Sequence, residues 1–257
     1  MFQKIREKFR RKNISIDMFD SHLRVKELEQ GELINKPLAP LYPNTYNEDL
    51  PADYPNNSLA LEKIVRLAYG KIEHSFLSPN LVIAVPPKTE LNWQQNLLMI
   101  CSKIGFKKMF MVEDFLSAAI GLDIDHKRDR KRLMIFSRRQ KTYIGLLFKG
   151  SAFNVEEYNK SISDIETNEL NDMIEEGVNQ IQQDLPEDFE QMKLKKRELK
   201  RFQNDWGLDL LDEIHICADV DVEDKFGNRI GQFKINYSDS NLAVDRGLAE
   251  VQRSFYR

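Results

Sequence analysis

The sequence predicts an α/β protein, and three observations predict it. Short apolar runs such as NLVIAV (80–85) and RLMIF (132–136) read as strands buried on both faces. Segments with apolar residues at three-four spacing lie between such runs and read as helices. From about residue 80 to 122 the two kinds alternate, which is the pattern of crossover units on a sheet. A chain of 257 residues with 41% hydrophobic content has enough apolar material for one large domain or two small ones.

Taken in order, the chain opens with a basic, helix-compatible segment, MFQKIREKFRRKN. Strand-like runs follow in NISIDMFDSHLRVKEL, with a short return at GELI. The proline-rich stretch around 42–58 is rich in turn formers and reads as a surface loop. Leu61, Ile64, Val65, Ala68, Ile72 and Phe76 then mark one helical face that should end near Ser78-Pro79. NLVIAV is a strand, 91–104 a helix, KKMFMV a strand and DFLSAAIGL a short helix. RLMIF and YIGLLF flank the basic SRRQK turn as a hairpin. Leu170, Met173, Ile174, Val178 and Ile181 line a helix over 166–185, closed by Pro186, and a charged helix over 188–203 follows. EIHICADVDV is a strand, a hairpin is centred on KFGNR, GQFKINY is a strand, and a last helix begins at about Asn241. The chain contains no internal sequence repeat.

Composition narrows the function classes. The net charge of −3 conceals clusters: six Lys/Arg against one acid in 1–13, eight against one in 126–141, six against one in 193–201, and ten acids without a base in 164–190. Cys101 and Cys217 sit in apolar runs and read as small buried hydrophobes, not as a disulfide or metal pair. No apolar run has the roughly 20 residues of a spanning helix, and the N-terminus lacks a signal-peptide core, so a cytoplasmic location is expected. The basic clusters attract phosphate, but no nucleic-acid module accompanies them, and nucleic acid is not expected as a partner.

Phe2, Ile5 and Phe9 recur at helical spacing among Lys4, Arg6, Lys8, Arg10, Arg11 and Lys12. That is the profile of a helix lying in a membrane interface, with apolar side chains in the acyl boundary and cations on anionic headgroups.

Several segments together resemble MreB, the bacterial branch of the actin and sugar-kinase superfamily. They are the opening through ISID, Gly31 with Asn35-x-Pro37, LVIAVPPKTE, MVEDFLSAAIGL and YSDSNLAVDRGLA. The resemblance implies an actin-like (ribonuclease H-like) core of two subdomains, 14–130 and 131–257, preceded by the segment 1–13, with the C-terminal helix returning to the first subdomain. The small subdomains that wall the nucleotide cleft are expected to be largely deleted, the first reduced to the loop at 42–58.

The same resemblance implies where nucleotide would bind, and there the motifs fail. Phosphate turns work through backbone N–H groups that approach closely because glycine has no side chain. The family's Asp-Leu-Gly-Thr-Ala-Asn reads Asp17-Met18-Phe19-Asp20-Ser21-His22 here, and its Asp-Ile-Gly-Gly-Gly-Thr reads Phe136-Ser137-Arg138-Arg139-Gln140-Lys141. The adenosine-side turn falls at Ala218-Asp219-Val220-Asp221, again without glycine. Asp17 and Glu113 survive where the family places functional acids, and without phosphate turns they read as structural residues. Phe19 and Phe136 are expected to fill or cap the former cleft.

The expectation is therefore a non-catalytic, MreB-like pseudo-ATPase scaffold at the inner face of the bacterial membrane, with no cofactor and no metal. Its partners would be anionic lipid and other subunits of a membrane-bound or cell-shape assembly, with self-association open. An adaptor of the PilM or FtsA kind, docking cytoplasmic tails of membrane proteins, and a divergent ATP-dependent filament are the alternatives.

Overall fold

The computed structural model describes residues 10–18, 22–38, 58–72, 76–124, 132–138, 140–148, 151–177, 213–230 and 233–256. Contacts divide the chain into two units, Met1–Ser117 with Asp245–Arg257, and Ala118–Val244. The first unit holds β1 (Asn13–Asp17), β2 (His22–Glu27), β3 (Gly31–Pro37), α1 (Ser58–Tyr69), β4 (Asn80–Val85), α2 (Leu91–Ile104) and β5 (Met109–Glu113). Helix α3 (Asp114–Gly121) begins in it, and α6 (Ser240–Phe255) ends in it. The second unit holds β6 (Arg132–Arg138), β7 (Lys141–Phe148), β8 (Ser151–Tyr158), α4 (167–177), β9 (Glu213–Ala218), α5 (Glu223–Phe226), β10 (Arg229–Ile230) and β11 (Phe233–Asp239).

The described strands form two sheets, of five and six strands, ordered β3-β2-β1-β4-β5 and β10-β11-β9-β6-β7-β8. In the first, β1, β4 and β5 are parallel and β2 and β3 antiparallel. In the second, β6, β9 and β11 are parallel and β7 and β8 antiparallel. Among the described residues each unit thus follows three antiparallel strands with helix, strand, helix, strand, helix, unit 2 adding the short β10 before its last strand. The plan repeats although the sequence does not.

In unit 1, Ile14, Ile16, Leu81 and Ile83 project from one sheet face onto Leu61, Ile64, Val65 and Ala68 of α1 and Trp93, Leu97, Ile100 and Cys101 of α2. Alternation along a strand sends the intervening residues to the other face. There α6 crosses: Lys26 pairs with Asp245, Phe110 stacks on Phe255 at 4.2 Å, and Tyr256 donates to the Leu81 carbonyl at 2.8 Å. Burial pushes the Tyr256 phenol up to about 12. Both faces of β4 are therefore covered, and all six of its residues are buried. Helices α3 and α6 touch through backbone: a Cβ on Gly247 would lie 1.7 Å from the Ser117 carbonyl oxygen, so only glycine fits.

In unit 2, Leu133, Ile135, Ile144, Leu146, Ile214, Ile216 and Ile235 pack on Leu170, Met173 and Ile174 of α4. Met134, Phe136, Tyr143 and Cys217 are buried as well. Each large side chain removed from water contributes about 1.5–3 kcal/mol. Both cysteines are buried and free, as the apolar runs imply, and desolvation raises the Cys101 thiol to about 12.

Three elements differ from the sequence expectation. Helix α1 stops at Tyr69 instead of continuing to Ser78: the chain tightens through Lys71 N–H to Ala68 O and Ile72 N–H to Tyr69 O, and Gly70 is a poor helix former. Phe76, read as a member of the buried helical face, is 71% exposed. The segment after β9 holds the helical turn α5, so the hairpin pairing is confined to Arg229–Ile230 with Phe233–Lys234. Strand β8 has no counterpart in the sequence reading. The loop at 42–57, the end of the first subdomain at 125–130, the rest of the helix beyond 177 and the helix expected at 188–203 lie outside the described residues. No described helix is long and apolar enough to cross a membrane.

Candidate functional site

In open parallel sheets, ligands bind beyond the carboxyl ends of the strands. Four places qualify: the ends of β1 and β5 in unit 1, and the ends of β6 and β9 in unit 2.

At the end of β1, Asp17 is 1% exposed and faces Arg24 of β2, its partner in the antiparallel register. Arg24 Nη2 donates to Asp17 Oδ2 at 3.0 Å. Asp245 of α6 joins the same cluster, 2.7 Å from Lys26 Nζ and 4.0 Å from Arg24 Nε. Burial raises the Asp245 carboxyl above its usual range, Lys26 and Arg24 pull it down, and Asp17 pushes it up. Phe19 and Asp20 lie outside the described residues.

At the end of β5, burial raises the Glu113 carboxyl, and the backbone N–H and charge of Lys88 oppose that shift. Lys88 has φ +58°, in the left-handed region. Glu113 thus holds the strained turn that follows β4.

The end of β6 is closed by hydroxyls. Ser137 and Thr142 are both fully buried. Ser137 Oγ accepts from the Ile162 N–H at 3.1 Å and lies 3.1 Å from Thr142 Oγ1 and 3.2 Å from the Lys141 carbonyl. Thr142 Oγ1 donates to the Lys160 carbonyl at 2.8 Å. Arg138 is 3% exposed and donates from Nη2 to Asn241 Oδ1 at 3.1 Å. Phe136 is fully buried inside unit 2, its ring 6.3 Å from that of Tyr143. Gln140 is exposed, Lys141 pairs with Glu157, and Arg139 lies outside the described residues.

Beyond β9 and β11 is a pocket of about 270 Å³, lined by Ile216, Val220, Val222, Tyr237 and three carboxylates, Asp219, Asp221 and Asp239. No lysine or arginine is among its lining residues. Asp221 Oδ1 accepts from the Glu223 N–H at 3.1 Å, and Asp239, just before α6, accepts at Oδ1 from the Leu242 N–H at 2.8 Å as a helix cap does.

Of the N-terminal residues, Phe2, Lys4, Ile5, Arg6, Lys8 and Phe9 lie outside the described part. Arg10 is exposed and pairs with Glu29, and Arg11 is half-buried. Lys12 is buried, its Nζ 2.9 Å from Glu27 Oε1, so this member of the basic segment is engaged inside unit 1 and has no reach to a lipid headgroup. Arg24, Lys26 and Asp245 are site residues that the sequence reading missed. The signal was available: Arg24 and Lys26 are two apart on a strand whose Leu23 and Val25 face the core.

No protein-family profile matches the sequence, and no curated protein matches it. Solved structures do. MreB5 of Spiroplasma citri bound to AMPPNP aligns with a TM-score of 0.66 and 13% identity, over 96% of this chain and 97% of that chain. The apo ParM protein of psk41 aligns at 0.58 and 12%, over 95% and 98%. The Alp12 filament structure aligns at 0.57 and 8%, over 96% and 99%. The chain has the actin-like fold that these structures share.

Nucleotide is the group this fold implies, and the residues present do not fit it. Where the family has small glycines, Ser137 carries a hydroxyl bonded to the Ile162 N–H and Arg138 a guanidinium bonded to Asn241. Asp17 is engaged by Arg24, and the turn lining the pocket beyond β9 carries Asp219 and Asp221 with no glycine.

Proposed function

We propose that this protein is a non-catalytic, MreB-like scaffold that keeps the actin-like fold as a platform for protein contacts and has given up nucleotide. The observation that carries this reading is the β6–β7 turn. A phosphate-binding turn needs glycines whose N–H groups can be closely approached, whereas the strand ends here carry the bonded hydroxyls of Ser137 and Thr142 and an Arg138 buried on Asn241. Its working place on this reading is the inner face of the bacterial membrane. The amphipathic sequence of residues 1–11, with Phe2, Ile5 and Phe9 among Lys4, Arg6, Lys8, Arg10 and Arg11, supports binding to anionic lipid. The likeness to a filament protein supports self-association as one of its protein contacts.

Calorimetric titration of the full chain with Mg-ATP tests the core of the proposal. No saturable heat is expected below roughly 100 μM, a loose bound for a specific site; tighter binding overturns it. Sedimentation with anionic and neutral liposomes tests the location. Phe2→Ala with Phe9→Ala should release the protein from both at low salt, and an unchanged pellet would remove the membrane from the proposal.

A further inference from the structure

Two carboxylates meet in the buried face of unit 1 that α6 covers, and the charge that offsets them comes from a strand. Asp17 and Asp245 lie 228 positions apart in sequence, and both are within reach of one guanidinium: Arg24 Nη2 is 3.0 Å from Asp17 Oδ2, and Arg24 Nε is 4.0 Å from Asp245 Oδ1. Lys26, on the same face of β2, adds an ammonium 2.7 Å from Asp245 Oδ2. Asp17 and Arg24 are both buried. Two ionised carboxylates cannot share a dry site without a counter-charge, and protein chemistry offers two kinds: a divalent cation held by carboxylates and water, or a buried basic side chain. Arginine suits the second role, since its guanidinium stays charged when buried and can address two acceptors at once.

We propose that Arg24, with Lys26 beside it on β2, is a built-in counter-cation, the two together giving Asp17 and Asp245 the positive charge that a divalent ion would otherwise supply, so that unit 1 is complete without metal. This rests on the reading of the chain as a scaffold without a nucleotide site, and it names the device that frees the site from its cation. The same cluster fastens the returning part of α6 to β2, so the first and last parts of unit 1 are joined by charge within the protein itself. Removing the Arg24 guanidinium strands the Asp17 carboxylate beside Asp245, which Lys26 still pairs, and a magnesium or manganese ion is the counter-charge that can answer it.

The test is the melting temperature of the full-length protein in EDTA, in millimolar MnCl₂, and in NaCl of matched ionic strength. The wild type should melt at the same temperature in all three. Arg24→Ala should melt lower in EDTA and regain part of the loss with Mn²⁺ but not with Na⁺. Adding Asp17→Asn to Arg24→Ala should abolish the Mn²⁺ response. If Arg24→Ala is recovered only unfolded, the same series is run on Arg24→Gln, which keeps an N–H donor and most of the side-chain volume. A wild type stabilised by Mn²⁺, or Arg24 variants indifferent to it, overturns the proposal. Because no nucleotide is present, that failure is distinct from Mg-ATP binding by the wild type, which overturns the scaffold reading instead.

Discussion

Units 1 and 2 are built on one plan and fill the same position of that plan with different chemistry. Beyond the first parallel strand, unit 1 buries the Asp17–Arg24 ion pair with Lys26 and Asp245 half-buried beside it, while unit 2 buries the neutral hydroxyls of Ser137 and Thr142. Each solution occupies space and hydrogen-bonding capacity that a nucleotide-binding turn must leave open. They differ in how they fail. A buried ion cluster that loses one member strands an uncompensated charge, whereas a hydroxyl network that loses one member strands only a polar group.

The largest expected effect follows from that contrast. Arg24→Met should destabilise the protein by about 3–5 kcal/mol, the usual result of removing one partner from a buried ion pair. At roughly 2–4 °C per kcal/mol for a chain of this size, thermal denaturation reads it easily. Arg24→Met combined with Asp17→Leu should recover much of the loss, because well-packed apolar residues often replace a buried pair without cost. A double variant as unstable as the sum of the two single ones would show that Asp17 and Arg24 are not coupled.

The helix glycines sharpen the comparison next. Gly247→Ala in unit 1 drives a Cβ against the Ser117 carbonyl and should cost about 1–3 kcal/mol, as overpacking does. Gly177→Ala in unit 2 meets, among the described residues, Ile144 Cγ2 at an ordinary 3.5 Å and should be neutral or stabilising by up to about 1 kcal/mol. Equal melting temperatures for the two variants would refute the tight crossing of α3 and α6.

Unit 2's network is predicted to be the more forgiving. Ser137→Ala leaves the Ile162 N–H without its acceptor and should cost about 1–3 kcal/mol, less than Arg24→Met. A loss in urea denaturation as large as that of Arg24→Met would reverse the ranking of the two units.

Much of this architecture was readable in the sequence, for physical reasons that can be named. After their first residues, Asn80 and Arg132, NLVIAV and RLMIF are apolar because helices or buried side chains cover both faces of β4 and β6. Strand β8 escaped because it is an edge strand carrying Glu156 and Glu157, and one exposed side relaxes the apolar pattern. The overlong α1 came from Ile72, which packs on the same core from a turn and mimics helical spacing. At the candidate site, the loss of glycine could be read residue by residue, but what replaced its function could not. Arg24 meets Asp17 through strand register, and Asp245 reaches Lys26 only because α6 returns across the sheet. Spacing within a segment carries no information about such pairings.

The last comparison is in acid response, where the two units should pull in opposite directions. His215 of unit 2 is driven below its ordinary 6.5, first by burial and then by Arg132, against the opposing pull of Glu213 at 3.3 Å. A base whose folded value is depressed contributes stability that is present above 6.5 and lost as pH falls through the folded value. Asp245 of unit 1 is raised above 3.8, so its contribution is fully present below 3.8 and is lost as pH rises through the raised value. Between about pH 7 and pH 5, histidine is the group that titrates, and the melting temperature should decline on acidification. His215→Gln keeps a polar side chain beside Glu213 without the titration and should flatten that decline, leaving the response below about pH 5 to carboxylates such as Asp245. If the variant and the wild type decline in parallel, the acid limb belongs to other groups, and the burial of His215 has no bearing on how unit 2 responds to pH.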